Sequence, residues 1–130
     1  MITEITKPGG WIGVDLDGTL ARYDVWVSEL HIGEPIHLMA ERVRKWLDQG
    51  IEVRIFTARV DGGMTGSGAN AMRYRDVERV RKAIQDWTED HFGVRLKVTN
   101  VKDYNMMQLW DDRAVGVEKN TGRIYNVSGD

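Results

Sequence analysis

The 130-residue chain contains no cysteine, which excludes disulfides, thiol nucleophiles and cysteine-ligated zinc and fits a reducing compartment. It also lacks a strong excess of either charge, since 18 Lys plus Arg stand against 20 Asp plus Glu for a formal net charge of -2. Broad nucleic-acid or anionic-membrane binding favours a basic excess, so neither is expected of the chain as a whole, although a local basic groove is compatible with these totals. No apolar run approaches the roughly 20 residues needed to span a bilayer. The opening MITEITKPGG lacks the charged start and apolar core of a signal sequence. The expectation is a soluble cytoplasmic protein with no membrane partner. Without repeats or long low-complexity tracts, the length suits one domain, residues 1–130, around one core.

Short apolar runs alternate with longer helical patterns, as in an α/β layered domain. WIGVD reads as a buried first strand ending at Asp15. Ile36, Met39, Ala40, Val43, Trp46 and Leu47 fall at helical spacing, with Gly50 as a left-handed stop. IEVRIFTA predicts a second strand finishing at Thr57, followed by the Gly-rich segment Asp61 to Asn70, a candidate mobile loop beside a site. A second helix is expected from about Ala71 to Phe92, with Val77, Val80, Ile84 and Trp87 on one face and Gly93 as its stop. VRLKVT and MMQLWDD predict the third and fourth strands, and VGVEKNTGRIYNV a hairpin turning at Asn120 to Gly122.

In open parallel sheets the carboxyl ends of the strands share one edge, where ligands bind. Asp15, Asp17, Thr57, Lys102, Asp111 and Asp112 are expected on that edge. Carboxylates gathered there repel one another unless a cation lies between them, and hard oxygen ligands without cysteine or paired histidine favour magnesium. A divalent cation with a phosphoryl group accounts for the two neighbouring carboxylates of DLDGT. His31, His37 and His91 lack metal-ligand spacing. Arg73, Arg75, Arg79, Arg81 and Lys82 are interrupted by Asp76 and Glu78 and read as a solvated helical face, while Trp46 and Trp87 read as core.

DLDGT at Asp15 to Thr19, IFTAR ending in Thr57 and Arg59, a lysine after the third strand and WDDR at Trp110 to Arg113 resemble, in order, the four motifs of the haloacid dehalogenase-like phosphotransferase superfamily. The resemblance spans about Trp11 to Val117. It implies a Rossmann-like three-layer sandwich with a mainly parallel sheet, a short β-hairpin flap between Leu20 and Pro35 and no separate cap domain. It also implies a magnesium-dependent phosphomonoesterase in which Asp15 takes the phosphoryl group and Asp17 protonates the leaving group and later activates water. By the same resemblance Thr57 bonds the phosphoryl oxygens and Lys102 neutralises the aspartyl phosphate. Lys102 follows the strand and is preferred to Lys97, which lies inside it. Asp111 completes a magnesium site shared with Asp15 and the Asp17 carbonyl, with Asp112 close by. Gly18 and Thr19 form the turn facing the phosphate, and Arg59 is a candidate substrate ligand or a surface ion-pair partner.

The implied substrate is a phosphorylated small molecule or nucleotide, at a site left open or closed by a neighbouring subunit in an oligomer. The TAR and DDR stretches resemble the phosphatase domain of polynucleotide kinase-phosphatases, so a polynucleotide 3'-phosphatase is the alternative. A magnesium- and phosphate-binding module without turnover is an alternative of another class.

Overall fold

The computed structural model describes residues 8–61, 64–65, 73–74 and 76–125. In chain order the elements are β1 (Trp11–Asp15), α1 (His37–Asp48), β2 (Glu52–Phe56), a 3-10 turn (Ala58–Val60), β3 (Met64–Thr65), β4 (Arg73–Tyr74), α2 (Val77–Phe92), β5 (Lys97–Thr99) and β6 (Met106–Trp110). Four of the strands form an all-parallel sheet of order β5-β2-β1-β6, and β3 pairs antiparallel with β4. The chain therefore has an α/β fold with β1 in the middle of its parallel sheet.

Alternation along the strands divides the sheet into two faces. Ile12, Val14, Val53, Ile55 and Val98 join Met39, Ala40, Val43 and Trp46 of α1 and Val80, Ile84 and Trp87 of α2 in one buried cluster. Trp46 and Trp87 are thus core, as expected. The helices are neighbours on this face, because the Arg44 guanidinium of α1 lies 5.4 Å from the Phe92 ring of α2. Right-handed crossovers running in one direction, β1 to β2 to β5, put both helices on the same side. The opposite face carries Trp11, Arg54 and Lys97. There the Arg54 guanidinium lies 4.4 Å from the Trp11 ring, and the indole N–H donates to Asp103 Oδ1 at 2.8 Å. Among the described residues, no helix covers this second face.

The second helix starts later than its composition suggests. Arg73–Tyr74 pair with Met64–Thr65, and α2 begins at Val77, where the Asp76 side chain caps it by accepting from the Arg79 backbone N–H at 3.2 Å. The apolar positions that signalled this helix all lie within 77–92. Most of the Gly-rich loop falls outside the described residues, which leaves its expected mobility untouched. The C-terminal hairpin is present as far as Tyr125, through a Val117–Ile124 bridge and a Glu118 N–H donating to the Arg123 carbonyl at 2.7 Å. Among the described residues, no helix is long and apolar enough to cross a membrane.

The segment after β1 is pinned at both ends. The Leu16 carbonyl accepts from the backbone N–H groups of Thr19, Leu20 and Ala21, winding the chain tightly behind Asp15. Residues 22–34 then leave and return through an Ala21–Pro35 bridge and an Arg22 N–H donating to the Glu34 carbonyl at 2.8 Å. The expected hairpin flap is therefore a loop closed at its base, with no strand ladder along its length. Trp87 of α2 secures that base by donating its indole N–H to the Gly33 carbonyl at 3.1 Å. A β-carbon on Gly33 would collide with the Arg22 carbonyl, which is rigid backbone. Gly33→Ala should therefore cost about 1–3 kcal/mol of stability by overpacking. Urea unfolding checks this, and an unchanged midpoint would show that the base of the loop is not held as described.

Candidate functional site

The sheet register delivers the expected carboxylates to one edge. Asp15 ends β1 opposite Phe56 of β2, and Val14 is level with Trp110 of β6, so Asp111 follows directly beside Asp15. Carboxylate oxygens of Asp15, Asp111 and Asp112 lie within 4.8 Å of one another. The Thr19 hydroxyl is 3.2 Å from Asp15 Oδ2 and 3.1 Å from Asp112 Oδ1, and it accepts from the Asp112 backbone N–H at 2.9 Å. With one proton it can donate to only one of those carboxylates at a time. Gly18 closes the turn with φ 87°, and a β-carbon there would fall 2.7 Å from Asp112 Oδ2. The backbone angle thus calls for glycine, and its missing side chain leaves room for the Asp112 carboxylate.

This crowding shows in the acidities. Burial pushes the Asp15 carboxyl up to about 7, helped by its hydrogen bond to Asp112 and the charge on Asp111. The same hydrogen bond holds Asp112 below the usual carboxylate range. Below about pH 7 a proton on Asp15 therefore relieves part of the repulsion, which is the task a bound cation would take over. Three carboxylates sharing oxygen donors fit a hard divalent ion such as magnesium.

Asp17 is turned elsewhere. Arg59 donates from Nε to Asp17 Oδ2 and from Nη2 to Oδ1, both at 2.8 Å, and from Nη1 to the Glu29 carbonyl at 2.9 Å. Only 6% of Arg59 is exposed, so this is a buried two-pronged clamp, not a surface ion pair. Buried Thr57 places it: its hydroxyl accepts from the Arg59 backbone N–H at 3.1 Å and caps the 3-10 turn. A cleft of ≈ 370 Å³ joins these groups and is lined by Asp15, Asp17, Thr57, Arg59, Asp111 and Asp112, together with Tyr23, Trp26 and Arg113.

Neither lysine stands in that wall. Lys102 is exposed on the loop after β5 and is not among the lining residues. Lys97 Nζ lies 3.6 Å from Glu52 at the amino end of β2, away from the carboxyl edge. The cations along the cleft are Arg59 and Arg113. No role for Arg113, Tyr23 or Trp26 follows from residue spacing alone. The clustering of large apolar side chains in YDVWV, next to the first motif in a segment too short to hold its own core, was the available signal.

The raised Asp15 acidity has a definite sign. A carboxyl held above its ordinary 3.8 favours folding at low pH, and that contribution is lost as pH rises through about 7. In metal-free solution, Asp15→Asn should gain stability relative to the parent as pH climbs from 3.8 to about 7, and then level off. Thermal unfolding of both proteins across this range checks it, and a pH-independent difference would contradict the account. Comparisons of the chain with protein-family models, curated proteins and solved structures returned no match.

Proposed function

We propose that the chain is a magnesium-dependent phosphomonoester hydrolase of the haloacid dehalogenase-like type, acting on a phosphorylated small molecule or nucleotide through an aspartyl phosphate on Asp15. The observation that carries this reading is the convergence of Asp15, Asp111 and Asp112 within 4.8 Å at the carboxyl edge of a parallel sheet. Asp15, Asp111 and Asp112 would hold the ion. When bound, it would offset the negative charge that otherwise keeps a phosphate dianion away from a carboxylate.

Asp15 attacks phosphorus as the bond to the leaving oxygen breaks, and Asp17 gives that oxygen a proton. Asp17 then takes a proton from the water that attacks the aspartyl phosphate, releasing inorganic phosphate and restoring the Asp15 carboxylate. To carry a proton, Asp17 has to shed at least one of its two bonds from Arg59. A phosphoryl dianion competes for the same guanidinium and would draw it off. The Thr57 hydroxyl, already accepting from Arg59, has its proton available for a phosphoryl oxygen. Lys102 could contribute only by turning in from its exposed loop, so Arg59 and Arg113 are the first candidates for substrate charge.

The finer architecture belongs to the same proposal: a Rossmann-like sandwich with residues 20–35 as its flap and no separate cap, whose third layer would lie against the face of Arg54 and Lys97. We place the activity in the cytoplasm, where a chain without cysteine needs no oxidising environment. The Arg59 clamp on Asp17 favours a second reading, a magnesium- and phosphate-binding module without turnover.

Hydrolysis of a chromogenic aryl phosphate separates the two. The hydrolase reading expects turnover that stops with excess chelator and returns with magnesium. It also expects a loss of roughly a thousandfold or more in Asp15→Asn, with an unchanged circular dichroism spectrum. No magnesium-dependent hydrolysis by the parent would leave the binding module, and full activity in Asp15→Asn would remove Asp15 from the chemistry.

A further inference from the structure

We propose that the cleft takes a nucleoside phosphate, with its base stacked on a platform formed by Trp26 and Tyr23. The proposal rests on the phosphomonoesterase reading for the position of the phosphate.

The loop 22–34 exposes four large apolar side chains in five residues: Tyr23 (44%), Val25 (69%), Trp26 (43%) and Val27 (62%). Apolar groups concentrated at the rim of a site mark an interaction surface. Of these four, Tyr23 and Trp26 line the cleft that also holds Asp15, Asp111 and Asp112. Aromatic rings take no charge or proton in phosphoryl transfer, and their exposed faces are free to meet the rest of the substrate.

Arg59 ties the two parts of the cleft together. While Nε and Nη2 hold Asp17, the guanidinium carbon lies 5.2 Å from the Trp26 ring centre. A single guanidinium thus links the second aspartate of the first motif, Asp17, to the indole. Carboxylates, guanidinium and aromatic rings thus share one cleft, the groups needed to receive the phosphate and the base of one ligand. The third prong of Arg59, on the Glu29 carbonyl at 2.9 Å, fastens the loop that carries Trp26 to the site. Together with the closed base of that loop, this holds the ring in place before ligand arrives, which lowers the cost of ordering it on binding.

The cleft, at ≈ 370 Å³, lies within the range of pockets that receive small organic ligands. Every base has a π-face, and stacking on an aromatic side chain strengthens binding by roughly five- to hundredfold. A sugar phosphate offers the ring no such face.

Calorimetric titration of the Asp15→Asn protein in excess magnesium, which keeps Asp111 and Asp112 for the ion, tests this independently of turnover. The probes are ribose 5-phosphate, adenosine 5'-monophosphate and a short 3'-phosphorylated oligonucleotide. The nucleotide should bind about tenfold or more tightly than ribose 5-phosphate. Adding Trp26→Ala should remove that advantage by lowering nucleotide affinity far more than ribose 5-phosphate affinity, while Trp26→Phe should keep most of it. If the oligonucleotide binds most tightly with the same dependence on Trp26, the stacked base belongs to a polynucleotide end. Equal affinities for nucleotide and sugar phosphate, equal losses for both in Trp26→Ala, or no binding of either would overturn the proposal. Nucleotide binding that depends on Trp26, in a parent protein that hydrolyses nothing, would refute the hydrolase reading and leave the stacking site standing.

Discussion

Mutual repulsion among Asp15, Asp111 and Asp112 is the constraint around which this end of the molecule is arranged. A parallel register that sets the end of β1 beside the end of β6 brings these carboxyl groups together. Folding meets the difficulty locally, through a proton on Asp15, the Thr19 hydroxyl set between Asp15 and Asp112, and a glycine that lets the turn approach Asp112. Each device weakens the repulsion without ending it. The edge is consequently stable enough to form and still receptive to positive charge, which is the condition a metal-assisted site requires.

Asp17 shows a different solution two residues along. It is neutralised by a guanidinium from the turn after the neighbouring strand β2, and that guanidinium also holds the Glu29 carbonyl and faces Trp26. One side chain thereby links the first motif, the turn after β2 and the loop 22–34. Any anion that competes for Arg59 changes Asp17 and the loop together, so the local electrostatics couple occupancy of the cleft to the state of its second aspartate. The coupling needs no moving domain, because the partners already touch.

What could be read from the chain alone followed the range of the interactions involved. β1 and β6 were legible because each is an apolar run ending abruptly in carboxylates, and α1 because its buried face recurs at helical spacing from Met39 to Trp46. The start of α2 was not, since Arg73–Tyr74 suit a helix and are drawn into pairing with Met64–Thr65 by a contact that periodicity does not encode. The gathering of Asp15, Asp111 and Asp112 followed from strand ends sharing an edge. The Arg59–Asp17 clamp joins residues 42 apart through side chains alone, and sequence left Arg59 between two roles. Nor did spacing reveal that Lys102 stands outside the cleft wall, because the loop after β5 has no pattern to orient it.

The central claim is that Asp15 itself becomes phosphorylated, and trapping the acyl phosphate tests it most directly. The magnesium-loaded protein would be mixed with an activated aryl phosphate, quenched in acid and digested, and its peptides weighed by mass spectrometry. The account predicts a phosphoryl group on the peptide containing Asp15, localised to that residue and absent when magnesium is chelated. Magnesium-dependent release of phosphate with no phosphorylated peptide, and with solvent oxygen entering the product directly in a single turnover, would contradict it and make water the nucleophile.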